Sequence, residues 1–298
     1  GDICAQTLDR TVFDTKGFYE FLVDLWQRWF GNPQHLHFER GGLPGEMCRS
    51  IVFWEGNIQR SLITGLGTEQ TRLKPLDHRA GPEHQRDVLG GAAFEPKEEN
   101  PMIGFRGASR YYDPAYIEGF RLECRAIHRL REEMGFDNVL LMIPFCRTLG
   151  EADKVLEVMA AHGLARGPGL QVYMMVEIPA NVILAKAFAE RFDGFSIGSN
   201  DLTQLILGID RDSDLLSDLF DEENEAVKTA IRSVITDARE RGVHTGLCGQ
   251  APSDRPAFAR FLVECGIDSL SVTPDSFIAV KQAVAAAEAD LDHDGDED

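Results

Sequence analysis

From about residue 100 onward, short apolar runs that stop at Gly, Pro or Asn alternate with longer amphipathic segments. Such alternation marks repeated βα units, in which strands lie side by side in a parallel sheet and helices cover its faces. The apolar runs predict strands at 103–106, 139–143, 172–177, 195–198, 245–248 and 269–272. Helical patterns fill the intervals at 115–134, 149–162, 181–192, 223–241, 253–265 and 275–288. In the second of these, Leu149, Ala152, Leu156 and Met159 fall near helical spacing. Six βα units in about 190 residues suit a (β/α)8 TIM-type barrel whose first two units lie upstream and are divergent or incomplete.

The upstream residues read poorly as barrel units. A helical pattern covers 18–30, and strands are plausible at 50–54 and 60–67. The stretch 67–87 is rich in Gly, Pro, His and charge without clear periodicity. Residues 1–89 are therefore read as a divergent N-terminal part of the barrel, 90–286 as the barrel domain, and 287–298 as an acidic disordered tail. At 298 residues and 43% hydrophobic content the chain can fill a sizeable core. Its formal charge of −19 argues against binding to nucleic acid or an anionic membrane, so an anionic substrate needs a local cluster of cations. The six cysteines include no Cys-x-x-Cys pair, which disfavours zinc ribbons and disulfide frameworks and fits a reducing cytoplasm. No run approaches about 18 apolar residues, and the N-terminus lacks a secretory pattern, so no membrane association is expected.

Chemistry concentrates at the ends of the predicted strands. Glu177 ends the most apolar one, where an unpaired carboxylate is expensive to bury; a salt bridge to a neighbouring strand is the plain alternative. Asp201 follows the next strand, after Gly198, Ser199 and Asn200. Glu177 and Asp201 together would suit Mg²⁺ or Mn²⁺ better than zinc. Exposed N–H groups at Gly198 and Ser199 suit a carboxylate or phosphate, whereas Asn200 fits equally well as a helix N-cap. Cys248 ends a further strand beside Gly249. Although a lone cysteine is usually core, the loop 249–254 favours an open thiol able to move a proton at carbon. Arg106, between Phe105 and Gly107, suits bidentate contact with phosphate or carboxylate, with an ion pair to Glu98 or Glu99 as the alternative. Arg147 is a weaker candidate of the same kind. The histidines form no credible metal or nucleophile constellation, and no Gly-x-x-x-x-Gly-Lys-Ser/Thr phosphate loop is present.

These residues sit in ordered motifs: Glu98-Glu99-Asn100-Pro101-Met102-Ile103-Gly104-Phe105-Arg106-Gly107, Met142-Ile143-Pro144-Phe145, Glu177-Ile178-Pro179, Ser196-Ile197-Gly198-Ser199-Asn200-Asp201-Leu202-Thr203-Gln204, Asp210-Arg211-Asp212-Ser213 and Cys248-Gly249-Gln250-Ala251-Pro252-Ser253-Asp254. From about Gly90 to about Val284 they resemble the C-terminal PEP/pyruvate-binding barrel of the PEP-utilizing enzyme family, in its phosphoenolpyruvate synthase (pyruvate, water dikinase) branch. Cys-Gly-Gln and Ser199 favour that branch over its dikinase and sugar-phosphotransferase relatives, which usually have Cys-Gly-Glu and Thr.

The resemblance implies a (β/α)8 barrel in which a phosphohistidine, carried on a separate domain, phosphorylates pyruvate. It implies that Glu177 and Asp201 hold Mg²⁺, that Gly198, Ser199 and Asn200 contact the carboxylate or carbonyl, that Arg106 neutralises phosphoryl oxygens, and that Cys248 exchanges the methyl proton. It further implies a partner ATP-grasp domain, a phosphohistidine domain and a homodimer formed through the barrel. The family's two substrate-clamping arginines are not identified: Arg72 and Arg79 lie in the right neighbourhood, but Pro82-Glu83-His84-Gln85 replaces the expected run. Two rivals remain, a stand-alone lyase or aldolase of the same barrel class and a catalytically inactive barrel kept as a remnant or dimerisation subunit. The thiol loop counts against the first, and intact Glu177, Asn200, Asp201 and Cys248 count against the second.

Overall fold

The computed structural model of the chain describes residues 36–39, 51–52, 97–211, 213–273 and 275–295. In chain order its strands are β1 Leu36–Glu39, β2 Ile51–Val52, β3 Val139–Ile143, β4 Val172–Val176, β5 Gly194–Gly198, β6 His244–Cys248 and β7 Ser269–Val272. Two compact units divide the chain. The first comprises Gly1–Val12, Gln34–Ser50 and Tyr173–Asp298, and the second Phe13–Pro33 and Ile51–Val172.

In the first unit β4, β5, β6 and β7 pair in succession, every pair parallel, and β1 adds antiparallel to β7. Helices follow β4, β5, β6 and β7 in sequence, the βα repeat expected from the apolar alternation. β4 and β5 are buried along their whole length, and β4 accordingly reads as a continuous apolar run instead of an alternating one, whereas β5 places a buried Ser196 between Phe195 and Ile197. The helix Glu225–Glu240 buries Val227, Ile231, Val234, Ile235 and Ala238 along one stripe. Each of its Val and Ile side chains contributes about 1.5–3 kcal/mol by leaving water. Asn224 starts that helix by accepting the Ala226 N–H at 2.9 Å. Among the described residues the parallel βα repeat is evident, but a closed eight-stranded barrel is not, and β1 departs from an all-parallel one.

Three helical segments differ from expectation. The pattern over 181–192 forms two short helices, Pro179–Ile183 and Ala185–Phe188, meeting at Leu184, whose ψ of 23° leaves the helical well. The pattern over 253–265 splits into Ala251–Asp254 and Pro256–Cys265, because the ring of Pro256 forces Arg255 into an extended conformation. The last helix, Phe277–Gly295, continues into the stretch expected to be a disordered acidic tail. The predicted helix at 18–30 and strand at 60–67 lie outside the described residues.

In the second unit β3 is wholly buried and runs parallel to β2, within the stretch 50–54 where a strand is plausible. The helix Ile117–Glu132 packs Phe120 against Tyr111, ring centroids 4.1 Å apart. The predicted strand at 103–106 is instead a 3-10 turn, Pro101–Ile103, followed by a tight loop. Side chains take the backbone groups a strand would have paired: the Glu98 carboxylate accepts the Phe105 N–H at 2.9 and 3.0 Å, and Arg110 Nε donates to the Phe105 carbonyl at 2.7 Å. No helix among the described residues is long and apolar enough to cross a membrane.

Candidate active site

The register of the first unit aligns the carboxyl ends of its strands. Val176 lies opposite Ile197, so the next residue, Glu177, comes level with Gly198, which in turn pairs with Cys248, and Cys248 with Ser271. A carboxylate and a thiol are thus set out along one edge, with Gly198 between them. Its lack of a side chain is needed there, since a Cβ would stand 2.8 Å from Met175 Cε and 3.0 Å from Glu177 Oε2. Glu177 is 4% exposed. Its N–H and that of Ile178 donate to Asn181 Oδ1 at 3.3 and 3.2 Å, so Asn181 fixes the backbone where β4 gives way to helix.

β5 passes into the helix Ser199–Leu207 with Gly198 as its N-cap and no intervening loop. Asn200, a possible N-cap on sequence grounds, is therefore inside the first turn. The N–H groups of that first turn lack intrahelical acceptors and carry partial positive charge, and Asp201 sits among them. Asp201 is buried, and one of its oxygens accepts from Arg211 Nη1 at 3.1 Å. Gln204 holds the arginine's backbone by accepting the Arg211 N–H, also at 3.1 Å. Sequence reasoning gave Arg211 no role, although Asp210-Arg211-Asp212-Ser213 already carried the resemblance.

Cys248 is almost fully buried; it accepts from Ser196 Oγ at 3.1 Å and donates to the Ile197 carbonyl at 3.5 Å. Burial pushes its pKa up to about 12, the negative charges of Glu177 and Asp201 push it the same way, and the Ser196 hydrogen bond only partly opposes them. The open, reactive thiol expected from the flanking loop is thus a buried, protonated one. Both carboxylates push the Cys248 pKa the same way, which makes Glu177, Asp201 and Cys248 candidates for one site. Among the described residues no three or more of His, Cys, Asp and Glu converge as a metal-ligand set. Glu177 and Asp201 are the pair that could hold a hard cation, with further ligands from water and substrate.

Ser199 is fully buried and donates its hydroxyl hydrogen to Glu222 Oε1, on the segment preceding the helix Glu225–Glu240. Gly249 packs against both: a Cβ there would overlap the Ser199 hydroxyl and stand 3.3 Å from Glu222 Oε1. Burial raises the Glu222 pKa, with the Ser199 hydrogen bond pulling the other way. Glu222 is the second residue that sequence reading missed, and no local pattern marks it.

Arg106 belongs to the second unit. Its guanidinium lies 4.2 Å from the centre of the Phe145 ring and donates to the Met102 carbonyl at 3.2 Å. Glu98, a candidate ion-pair partner, is the acceptor for Phe105 N–H instead. Arg147 serves the loop: it donates to the Arg106 carbonyl at 3.1 Å, to Ser109 Oγ at 3.3 Å and to the Gly104 carbonyl. Burial lowers its pKa, Glu151 opposes the shift, and the charge of Arg106 adds to it. The φ of 42° at Phe145 and of 63° at Gly107 let the two loops dock, with Ala108 N–H donating to the Pro144 carbonyl at 3.1 Å.

Residues 68–289 match the family described as PEP-utilising enzyme, PEP-binding domain. Phosphoenolpyruvate synthase of Synechocystis sp. is 59% identical over 206 residues, 69% of this chain and 25% of that protein. The Aquifex aeolicus enzyme of the same name is 57% identical over 206 residues, covering 69% and 24%. That of Escherichia coli is 53% identical over 193 residues, covering 64% and 24%. The chain spans about a quarter of the length of these curated relatives. A solved HpcH/HpaI aldolase/citrate lyase family protein from Burkholderia cenocepacia J2315 aligns at 18% identity and TM-score 0.38, over 55% of this chain and 69% of that one. With the family match covering most of the chain, the polypeptide belongs to the PEP-utilising enzymes, through their PEP-binding domain.

Proposed function

We propose that the chain forms the PEP/pyruvate site of a phosphoenolpyruvate synthase, a phosphotransferase that completes its cycle with ATP-grasp and phosphohistidine domains. The observation that carries this reading is the strand register that sets Glu177, Gly198 and Cys248 in line, with Asp201 one turn into the helix after Gly198. In this reading the N–H groups of the first turn of Ser199–Leu207 and the Asn200 carboxamide bind the pyruvate carboxylate and carbonyl. Arg106 meets phosphoryl oxygens. The Cys248 thiol donates its proton to the methylene carbon of the enolate, giving pyruvate and the thiolate; in the reverse step the thiolate takes a methyl proton and gives the enolate. The enolate oxygen then bonds to phosphorus as the phosphorus–nitrogen bond of the phosphohistidine breaks. Glu177 and Asp201 would hold Mg²⁺, or Mn²⁺, which when bound supplies charge stabilisation to the enolate.

The expected (β/α)8 closure, a cytoplasmic location and dimerisation through the barrel form part of the same proposal. The lyase or aldolase rival has no use for a thiol at this place, and the relatives do not favour it.

Deuterium exchange into the methyl group of pyruvate, followed by NMR in D₂O, tests the site without the other domains. Exchange that requires both the chain and Mg²⁺ is expected. A folded chain that exchanges no protons at any Mg²⁺ concentration would leave the inactive barrel as the better reading.

A further inference from the structure

Between β5 and the helix Glu225–Glu240 the chain makes a strap whose acidic residues point to different partners. Asp221 and Glu223 both accept from Arg255 Nη1, each at 2.8 Å, and Arg255 follows directly on the short helix Ala251–Asp254 after Cys248. Asp221 Oδ1 also accepts the Glu223 N–H at 3.1 Å, which tightens the turn. Glu222, between the two clasped residues, instead accepts the Ser199 hydroxyl and packs against Gly249. The strap thus touches both segments of the site, the first helical turn that carries Ser199, Asn200 and Asp201 and the stretch that follows Cys248. Ser199 has one hydroxyl hydrogen. Once that hydrogen is given to Glu222, the hydroxyl cannot donate to a substrate oxyanion, which leaves that task to the backbone N–H groups of the turn and to Asn200.

We propose that Glu222 is a positioning residue: by clamping the Ser199 hydroxyl, with Arg255 holding its strap, it fixes the first turn of Ser199–Leu207 in the orientation that binds the pyruvate carboxylate. This rests on the pyruvate-site reading above. The role predicts a split between binding and proton transfer, because the contacts of Cys248 with Ser196 and Ile197 do not involve Glu222.

The test measures Mg²⁺-dependent methyl exchange against pyruvate concentration for the parent chain, Glu222→Ala, Glu222→Gln, Ser199→Ala and the double variant Glu222→Ala/Ser199→Ala. Loss of a buried hydrogen bond to the Glu222 carboxyl should raise the half-saturating pyruvate concentration of Glu222→Ala by about tenfold or more while leaving the saturated exchange rate nearly intact. Glu222→Gln keeps an acceptor and should recover most of the affinity. The double variant should bind no worse than the weaker single one, as two ends of one interaction do. An unchanged half-saturation in Glu222→Ala, a Gln variant as weak as Ala, or additive losses would overturn the role. If Glu222→Ala does not fold, Glu222→Gln and Ser199→Ala decide: near-parental affinity in the first with loss in the second supports the clamp, and any other pairing overturns it. A parent chain without Mg²⁺-dependent exchange would instead overturn the pyruvate-site reading, and the clamp with it.

Discussion

The Cys248 thiol is held in a place that opposes its ionisation, and the opposition has separable sources. Burial is the largest, and the carboxylates of Glu177 and Asp201 add to it. Glu177→Gln or Asp201→Asn should therefore lower the Cys248 pKa from about 12, seen as faster alkylation of that cysteine at a given alkaline pH by mass spectrometry. Unchanged rates in both would mean that the carboxylates do not face the thiol. The linkage has a definite sign. Because the folded-state pKa lies above the ordinary 9.0, the folded chain binds the proton more tightly, and this contribution to stability is full below about pH 9 and is lost as pH rises toward 12. The same two substitutions should weaken Mg²⁺-dependent pyruvate binding about tenfold or more, since each removes a charged oxygen ligand; titration calorimetry with unchanged affinity would remove both residues from a metal site. Cys248→Ala should bind pyruvate as the parent does yet lose methyl exchange. Glu177, Asp201 and Cys248 could be picked out in the sequence as candidates because each is a reactive group at or just beyond the end of an apolar run. Arg211 and Glu222 were not, since their significance lies in contacts with Asp201 and Ser199 that only the folded chain makes.

At the scale of elements, the strands were legible where burial on both faces makes a run continuously apolar, as in β3 and β4. The failures have local causes. The 103–106 stretch is apolar enough for a strand, but Glu98 and Arg110 take its backbone groups. Arg255 interrupts a good helical pattern because of the proline after it. The loop carrying Arg106 depends on one backbone conformation. Gly107 has φ of 63°, and a Cβ there would stand 2.9 Å from the carbonyl oxygens of both Pro144 and Phe145. Gly107→Ala combines backbone strain with that overlap and should cost about 1–3 kcal/mol or more in urea unfolding. A loss well under about 1 kcal/mol would mean that this loop is not docked as described.

For the molecule as a whole, two facts bear on the proposed reaction, the share of its relatives that the chain matches and its charge. The chain corresponds to about a quarter of enzymes that are 59% and 57% identical to it. In the proposed reading, proton exchange at carbon draws on Glu177, Asn200, Asp201 and Cys248, all in the first unit, whereas making PEP from ATP would also need a phosphohistidine brought to the enolate. The 298-residue polypeptide should accordingly exchange the methyl protons of pyruvate yet release no AMP from ATP and pyruvate. AMP above the no-protein control, followed by chromatography, would refute the division of labour proposed here. The formal charge of −19 bears on the exchange reaction too, because it repels anionic pyruvate at long range. Raising the ionic strength with a monovalent salt screens that repulsion over a Debye length of about 10 Å at 0.1 M, while the buried contacts of the site are screened much less. The half-saturating pyruvate concentration for exchange, measured at fixed saturating Mg²⁺, should therefore fall modestly as salt is first added. A steady rise across the same range would show that binding is governed by local cationic groups and not by the net charge of the chain.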